Sequence, residues 1–313
     1  VARCLRVGWG VDEVFWMPIT LFRRLHVPVF PAEALRALQQ LWGLALLLRA
    51  MGLWTRPSTS AAFVLGCYLL GLPHNFGKTH HSDAIVVLTL GILAVSRCGD
   101  AWSIDRLLRA TRRGVQSPDD PRATMSGEYA WPVRLVQVLI TFVFFGAGVS
   151  KLRHSGLEWI FSDNLSTLLI KHGAPLGMAV ARYGWLCRLL AGATVVGETL
   201  CPLALVRRTA RRIRIPGMFL MQLGILVSMH VSFRQFMLCY LFWVPWDRIG
   251  CWLIDRCRPA GAHSLLYDGA CGLCQRTIGL VRSLDLFGRV RAHDVTTEWV
   301  AIHERSPHLT QEA

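Results

Sequence analysis

The chain has 313 residues, enough for two domains, yet 53% of them are hydrophobic and only 17% are charged, with a mean hydropathy of +0.38. Soluble chains carry about 25% charged residues, so this composition excludes a disordered protein and argues against an ordinary cytosolic enzyme. The formal net charge of +14 rests almost wholly on arginine, because Lys78, Lys151 and Lys171 are the only lysines; the position of the arginines decides between nucleic acid and membrane sidedness as its meaning.

The chain opens on Val1 within apolar sequence, with neither a charged leader nor a small-residue cleavage site, so no signal peptide is read and a first membrane helix is expected ahead of it. A series of apolar stretches follows. Residues 38–54 carry one charge, Arg49, near their end, where a guanidinium reaches the interface. Pro57 opens 58–72 and Pro73 closes it, and 84–96 is short and uncharged. Residues 131–150 hold only Arg134, and 185–206 contain Arg188 and Glu198. Residues 215–246 are interrupted only by Arg234 and are expected to form two segments meeting near 230–235. A helix needs about 17–25 residues to cross the hydrocarbon core, so the pattern predicts about seven membrane segments, several of them marginal outside a bundle.

The arginines then sort by side. Arg97, Arg106, Arg109, Arg112 and Arg113 follow the third stretch; Arg207, Arg208, Arg211, Arg212 and Arg214 follow the fifth. Two crossings separate the clusters, so both fall on one side, which the positive-inside rule assigns to the cytoplasm. The loops 73–82 and 151–184 and the turn at His230 fall on the other side, with all three lysines. The charge reads as a topology signal, and nucleic acid is not an expected partner; the lipid bilayer is.

Beyond Trp252 the character changes. Residues 255–262 form a polar linker containing Pro259, followed by an apolar run His263–Tyr267, an Asp-Gly turn, a helical pattern over 274–286 and a second strand over 289–293. Strand, CxxC, helix, strand is the opening of a thioredoxin-like unit. The expected fold is therefore mainly α: a polytopic α-helical membrane bundle over 1–254, then a partial α/β thioredoxin-like domain over 263–313.

Within the membrane portion the informative run is Phe145-Gly-Ala-Gly-Val-Ser-Lys151-Leu152, with Trp159 downstream. Gly146 and Ser150, four apart, suit close helix approach. An apolar pocket disfavours the ammonium form, which is what lets a lysine such as Lys151 act as a general base. His80 and His81 open the third stretch on the same expected face, where a neutral imidazole would hydrogen-bond a developing oxyanion. Glu198 is an ionisable group inside an apolar run. Each has a plainer reading: Lys151 as an interfacial anchor, His81 as an interfacial histidine, and Glu198 as the partner of Arg188.

Residues 5–250 resemble the membrane domain of vitamin K-dependent gamma-glutamyl carboxylase and its bacterial relatives, the horizontally transferred transmembrane (HTTM) proteins. The resemblance rests on Ala147-Gly148-Val149-Ser150-Lys151-Leu152 with Trp159, on His80-His81-Ser82, and on Ser103-Ile104-Asp105. It implies that Lys151 deprotonates a reduced quinone of vitamin K type, that His81 assists, that His80, Trp159 and Glu198 contact the substrate, and that the site opens on the outer face. The large lumenal domain of the carboxylase, which binds propeptide and glutamate, has no counterpart in this chain, which turns the expectation from glutamate carboxylation toward quinol chemistry. No metal is expected: His74 with His80 and His81 supplies only part of a di-iron histidine box.

The ten cysteines are scattered, which is no disulfide framework, and Cys67, Cys187, Cys201 and Cys239 lie in apolar runs as small hydrophobes. Cys271 and Cys274 differ. Cys271 falls at the expected helix N-terminus, which favours thiolate, and Cys274 lies one turn in, placed to resolve a mixed disulfide. Asp268 is positioned to relay a proton. The alternative is half a zinc site completed by His293 or His303. Leu-Leu-Tyr267-Asp268-x-x-Cys271-x-x-Cys274 resembles the DCC family of thiol-disulfide oxidoreductases, which implies a protein thiol or disulfide as partner. If 215–246 crosses twice this domain is cytoplasmic; one crossing puts it outside. Three functions stand open: chemistry on a quinol, thiol-disulfide exchange with the membrane part as anchor, and a non-catalytic membrane scaffold.

Overall fold

A computed structural model describes residues 16–18, 20–76, 81–113, 127–257, 263–285 and 287–305. The protein is mainly helical. In chain order the elements are α1 (Thr20–Arg24), α2 (Ala32–Met51), α3 (Thr55–Gly71), α4 (His81–Ala94), α5 (Ile104–Arg113), α6 (Gly127–Ser155), α7 (Glu158–Phe161), α8 (Asn164–His172) and α9 (Pro175–Ala181). There follow α10 (Gly184–Thr199), α11 (Leu203–Val206), α12 (Arg208–Met229), α13 (Arg234–Cys239), α14 (Trp246–Cys257), β1 (His263–Tyr267), α15 (Gly272–Leu284), β2 (Val290–Asp294) and α16 (Val295–Arg305).

Breakers set these ends. Gly52, at φ +68°, stops α2, with its N–H bonded to the Arg49 carbonyl. Gly173, at φ +67°, stops α8, and Pro175 opens α9 at its first turn. Residues 145–155 contain no proline, and Gly146 and Gly148 take no positive φ, so α6 runs on to Ser155 and carries Lys151 inside its final turns. The expected loop 151–184 is in fact that helix end followed by α7, α8 and α9. His230 takes a left-handed φ of 57° and ends α12, as the pattern near 230–235 anticipated. The chain then forms only the six-residue α13 and a 3-10 turn, Tyr240–Trp243, short of the ~30 Å a crossing requires.

Among the described residues two helices are long and apolar enough to cross a membrane, Gly127–Ser155 and Arg208–Met229, with Asp83–Ala94 a shorter apolar helix. The sequence pattern counted about seven stretches. Of the others, α2 is long enough at 20 residues but carries Glu33, Arg36 and Arg49, while α3 and α10 stop at 17 and 16 residues.

The chain forms two compact units that are not contiguous in sequence. The first comprises Val1–Gln40, Phe63–Ser96 and Gly127–Val244. Its core joins Ile85 of α4, Ile140 and Phe144 of α6, Met218 of α12, Phe236 and Cys239 of α13, Cys201 and Tyr240. Gln137 on α6 donates to the Phe242 carbonyl at 2.8 Å, and Gln235 on α13 donates to the buried Asp83 of α4 at 3.2 Å.

The second unit comprises Leu41–Ala62, Arg97–Ser126 and Pro245–Ala313. It takes in the C-terminal strands and helices together with two earlier segments. β1 and β2 pair in parallel, from His263 opposite Val290 to Tyr267 opposite Asp294, with α15 as the crossover. α15 packs on α5, and α16 packs on β2. α16 was not anticipated, because Val295-Thr-Thr-Glu-Trp-Val is weakly apolar and reads as tail. Asp105, one of the residues behind the HTTM resemblance, caps α3 from fifty residues away. It accepts from Trp54 N at 2.9 Å, Thr55 N at 2.7 Å and Thr55 Oγ1 at 2.8 Å. Burial pushes its carboxyl up, but those bonds and Arg109 outweigh it and hold Asp105 below the usual carboxylate range.

Candidate functional site

The first constellation lies where α6 meets α10. Gly148 makes the close approach possible: a Cβ there would stand 2.7 Å from Thr199 Oγ1 and 3.0 Å from Glu198 Cβ. Nothing lies within 4 Å of a Cβ at Gly146, and Ser150 is exposed. The small-residue contact is thus Gly148 rather than the expected pair Gly146 and Ser150. Lys151, one helical turn beyond Gly148, thereby reaches Glu198, and Nζ donates to Oε2. The Glu198 side chain is 7% exposed and that of Lys151 23%.

The Nζ also sits over the indole of Trp159 on α7, 5.1 Å from the ring centroid. The alternative partner Arg188 is ten residues back along α10, about 15 Å of helix, and Glu198 pairs with Lys151 instead. Beside the pair, the Thr199 hydroxyl is buried against Gly148 without a hydrogen-bond partner. Lys151, Glu198 and Trp159 therefore come together, while Thr199 and the contact role of Gly148, named only as part of the HTTM-like run, were missed; the signal for both was the Gly-x-Gly run preceding Lys151. His80 and the imidazole of His81 lie outside the described residues, although the backbone of His81 opens α4.

The second constellation is local. β1 ends at Tyr267, Asp268 to Ala270 turn, and Cys271 N-caps α15 in an extended conformation (φ −83°, ψ 113°). Its Sγ accepts from Cys274 N at 3.5 Å. Hydrogen bonds from the Cys274 backbone and side chain, then from the Leu273 backbone, hold the Cys271 thiol below its ordinary range, and they outweigh the opposing desolvation and the charge of Asp268. Cys274 moves the opposite way, raised first by its hydrogen bond to Cys271. The two thiols are thus shifted in opposite directions, Cys271 toward thiolate and Cys274 toward thiol, the direction of asymmetry that a dithiol exchange site uses.

The Asp268 backbone hydrogen-bonds the Cys274 thiol, a downward contribution that the larger upward ones outweigh. Its carboxylate Oδ1 accepts from Ala270 N at 2.8 Å and shapes the turn that precedes Cys271. Residues missed here are Gly269, Gln275 and Asp294. Asp294 Oδ1 accepts from Gly269 N at 3.0 Å, and Gln275 Nε2 donates to the Gly269 carbonyl. The histidines considered for zinc are engaged elsewhere: His293 Nδ1 lies 2.8 Å from Glu298 Oε2, and His303 stacks on Trp299. Among the described residues no group of three or more His, Cys, Asp or Glu side chains is placed to hold a metal ion. No family model, curated protein or solved structure matches the chain.

Proposed function

We propose that the protein is a membrane-embedded thiol-disulfide oxidoreductase working through Cys271 and Cys274. The observation that carries this is the N-cap position of Cys271, where its sulfur accepts the Cys274 N–H directly after a parallel strand. In the reductive direction the Cys271 thiolate attacks a sulfur of a substrate disulfide. The substrate S–S bond breaks, and the departing thiolate takes up a proton. Cys274 then loses its proton and attacks Cys271 Sγ, which closes the Cys271–Cys274 disulfide and releases the second substrate thiol. Two electrons pass from the dithiol to the substrate, and the reverse sequence oxidises a dithiol.

Membrane embedding, with a polytopic helical bundle, is supported by how little of the long helices is covered. Only 33% of the apolar window in α6 and 11% of that in α12 is buried, whereas a soluble core helix hides most of its surface. Phe142 on α6 and Leu220 on α12 are 55% and 62% exposed. On this reading the arginine-rich stretches face the cytoplasm and the Lys151 end of α6 faces outward.

A second reading concerns the Lys151–Glu198 pair. Shifting one proton from Nζ to the carboxylate leaves a neutral amine beside a carboxylic acid, so the pair rather than the lysine alone is the base. Such a pair, with an unpartnered Thr199 hydroxyl beside it, suits proton removal from a quinol, in line with the HTTM resemblance.

The test of the first reading is reduction of a peptide disulfide by the reduced full chain in detergent or vesicles. Turnover lost in Cys271→Ser and retained in Lys151→Met supports it. Equal turnover in wild type and Cys271→Ser overturns it. For the second reading, quinol oxidation abolished by Lys151→Met is the supporting result, and an unchanged rate removes it.

A further inference from the structure

Asp294 ends β2 directly opposite Tyr267, at the point where β1 runs out into the Asp268–Ala270 turn. Its Oδ1 gathers three donors: Gly269 N at 3.0 Å, Thr296 N at 2.9 Å and Thr296 Oγ1 at 2.6 Å. The two bonds from Thr296 fix the carboxylate from the α16 side. Across the turn, Gln275 in the first turn of α15 holds the Gly269 carbonyl. The backbone at Gly269 is therefore gripped through its N–H by β2 and through its C=O by α15. No Cβ fits at Gly269, because it would overlap the Asp294 carboxylate. Two residues on, the same turn delivers Cys271 to its N-cap.

We propose that Asp294, with Gln275, is a positioning residue for the Cys271 thiolate: the grip on Gly269 holds Cys271 where the N–H groups of α15 meet its sulfur. The proposal rests on the reading of Cys271 as the attacking thiol. A merely structural Asp294 would cap α16 through Thr296 and leave Cys271 indifferent. The geometry connects it to the turn as well, and the two roles separate experimentally.

The measurement is the pH dependence of iodoacetamide alkylation of Cys271 in the full chain, followed by peptide mass spectrometry, beside thermal unfolding of each variant. In wild type the midpoint falls below the ~8.5 of a free cysteine. Asp294→Ala releases the turn and moves the midpoint up by about one pH unit, so that alkylation near neutral pH slows about tenfold. Asp294→Asn keeps a carbonyl acceptor and stays near wild type. Gly269→Ala, which disturbs the same contact from the other side, reproduces the Asp294→Ala shift and covers the case in which that variant does not fold. Thr296→Val removes only the Oγ1 bond and leaves Asp294 Oδ1 held by Thr296 N and bonded to Gly269 N, so it lowers thermal stability while leaving the midpoint in place. A wild-type midpoint in Asp294→Ala and Gly269→Ala overturns the proposal, as does an equal shift in Thr296→Val. An ordinary midpoint in wild type itself sinks the dithiol reading on which the proposal stands.

Discussion

The two polar constellations are built in opposite ways. Cys271 and Cys274 are separated by three residues and need only a strand, a turn and the first turn of α15 to acquire their geometry. Lys151 and Glu198 are separated by 47 residues and meet only because Gly148 lets α10 press against α6. The local site draws its chemistry from backbone N–H groups, which any helix start supplies. The distant one draws it from a pairing of opposite charges in apolar surroundings, which a single substitution leaves half undone. A local motif is robust and cheap to relocate; a paired charge is specific and costly to break.

Four substitutions test that contrast, from the largest effect to the smallest. Cys271→Ser removes the attacking sulfur, and disulfide-reducing turnover falls to the uncatalysed level while the fold, followed by circular dichroism, is unchanged. Glu198→Ala strands the Lys151 ammonium and destabilises the first unit. Loss of one partner from a buried ion pair costs about 3–5 kcal/mol, and the partial exposure of Lys151 places the value at the lower end. Unfolding in detergent measures it, and the double change Lys151→Met with Glu198→Leu recovers most of the loss. If the double variant is as unstable as the single one, the pair is not the source of the cost. Gly148→Leu separates α6 from α10 and costs about 1–3 kcal/mol by overpacking. Disulfide turnover through Cys271 survives that change; its loss would mean that the two sites are not independently built.

The smallest effect is expected at Asp105. Removing the cap of α3 in Asp105→Ala costs about 1 kcal/mol. The folded carboxyl lies below its unfolded value, so its contribution is fully present above about pH 4 and is lost as the pH falls through the folded value. Asp105→Asn should flatten that acid limb of the stability curve, and an unaltered limb would show that the capping bonds do not need the charge.

The same contrast explains what was legible in the sequence. The strand, CxxC, helix and second strand follow from an apolar run, an Asp-Gly turn and a helical period, all within a window of thirty residues, and only α16 was missed. The mainly helical character follows from the long apolar stretches, and the break at His230 from the polar interruption around it. The Lys151 environment was legible only in part. An isolated lysine beside small residues marked the place, but nothing in the spacing of 151 and 198 says that they meet, and Glu198 had an arginine nearer in sequence. Gly148 rather than Gly146 makes the contact because the register of α6 against α10 is set by tertiary packing. Asp294 was invisible for a similar reason: its partner is fixed by the parallel register of β1 and β2, which no local pattern encodes. Ser103-Ile104-Asp105 drew notice as a motif, yet its carboxylate serves to start a helix fifty residues earlier.

The most direct test of the dithiol account is to trap its intermediate. Cys274→Ser cannot resolve a mixed disulfide, so incubating the full-length variant with a small peptide disulfide and mapping adducts by mass spectrometry reports which sulfur attacks. The account predicts stable adduct at Cys271, far in excess of that at the exposed Cys251 and Cys257. Adduct spread equally over Cys271, Cys251 and Cys257 would contradict it.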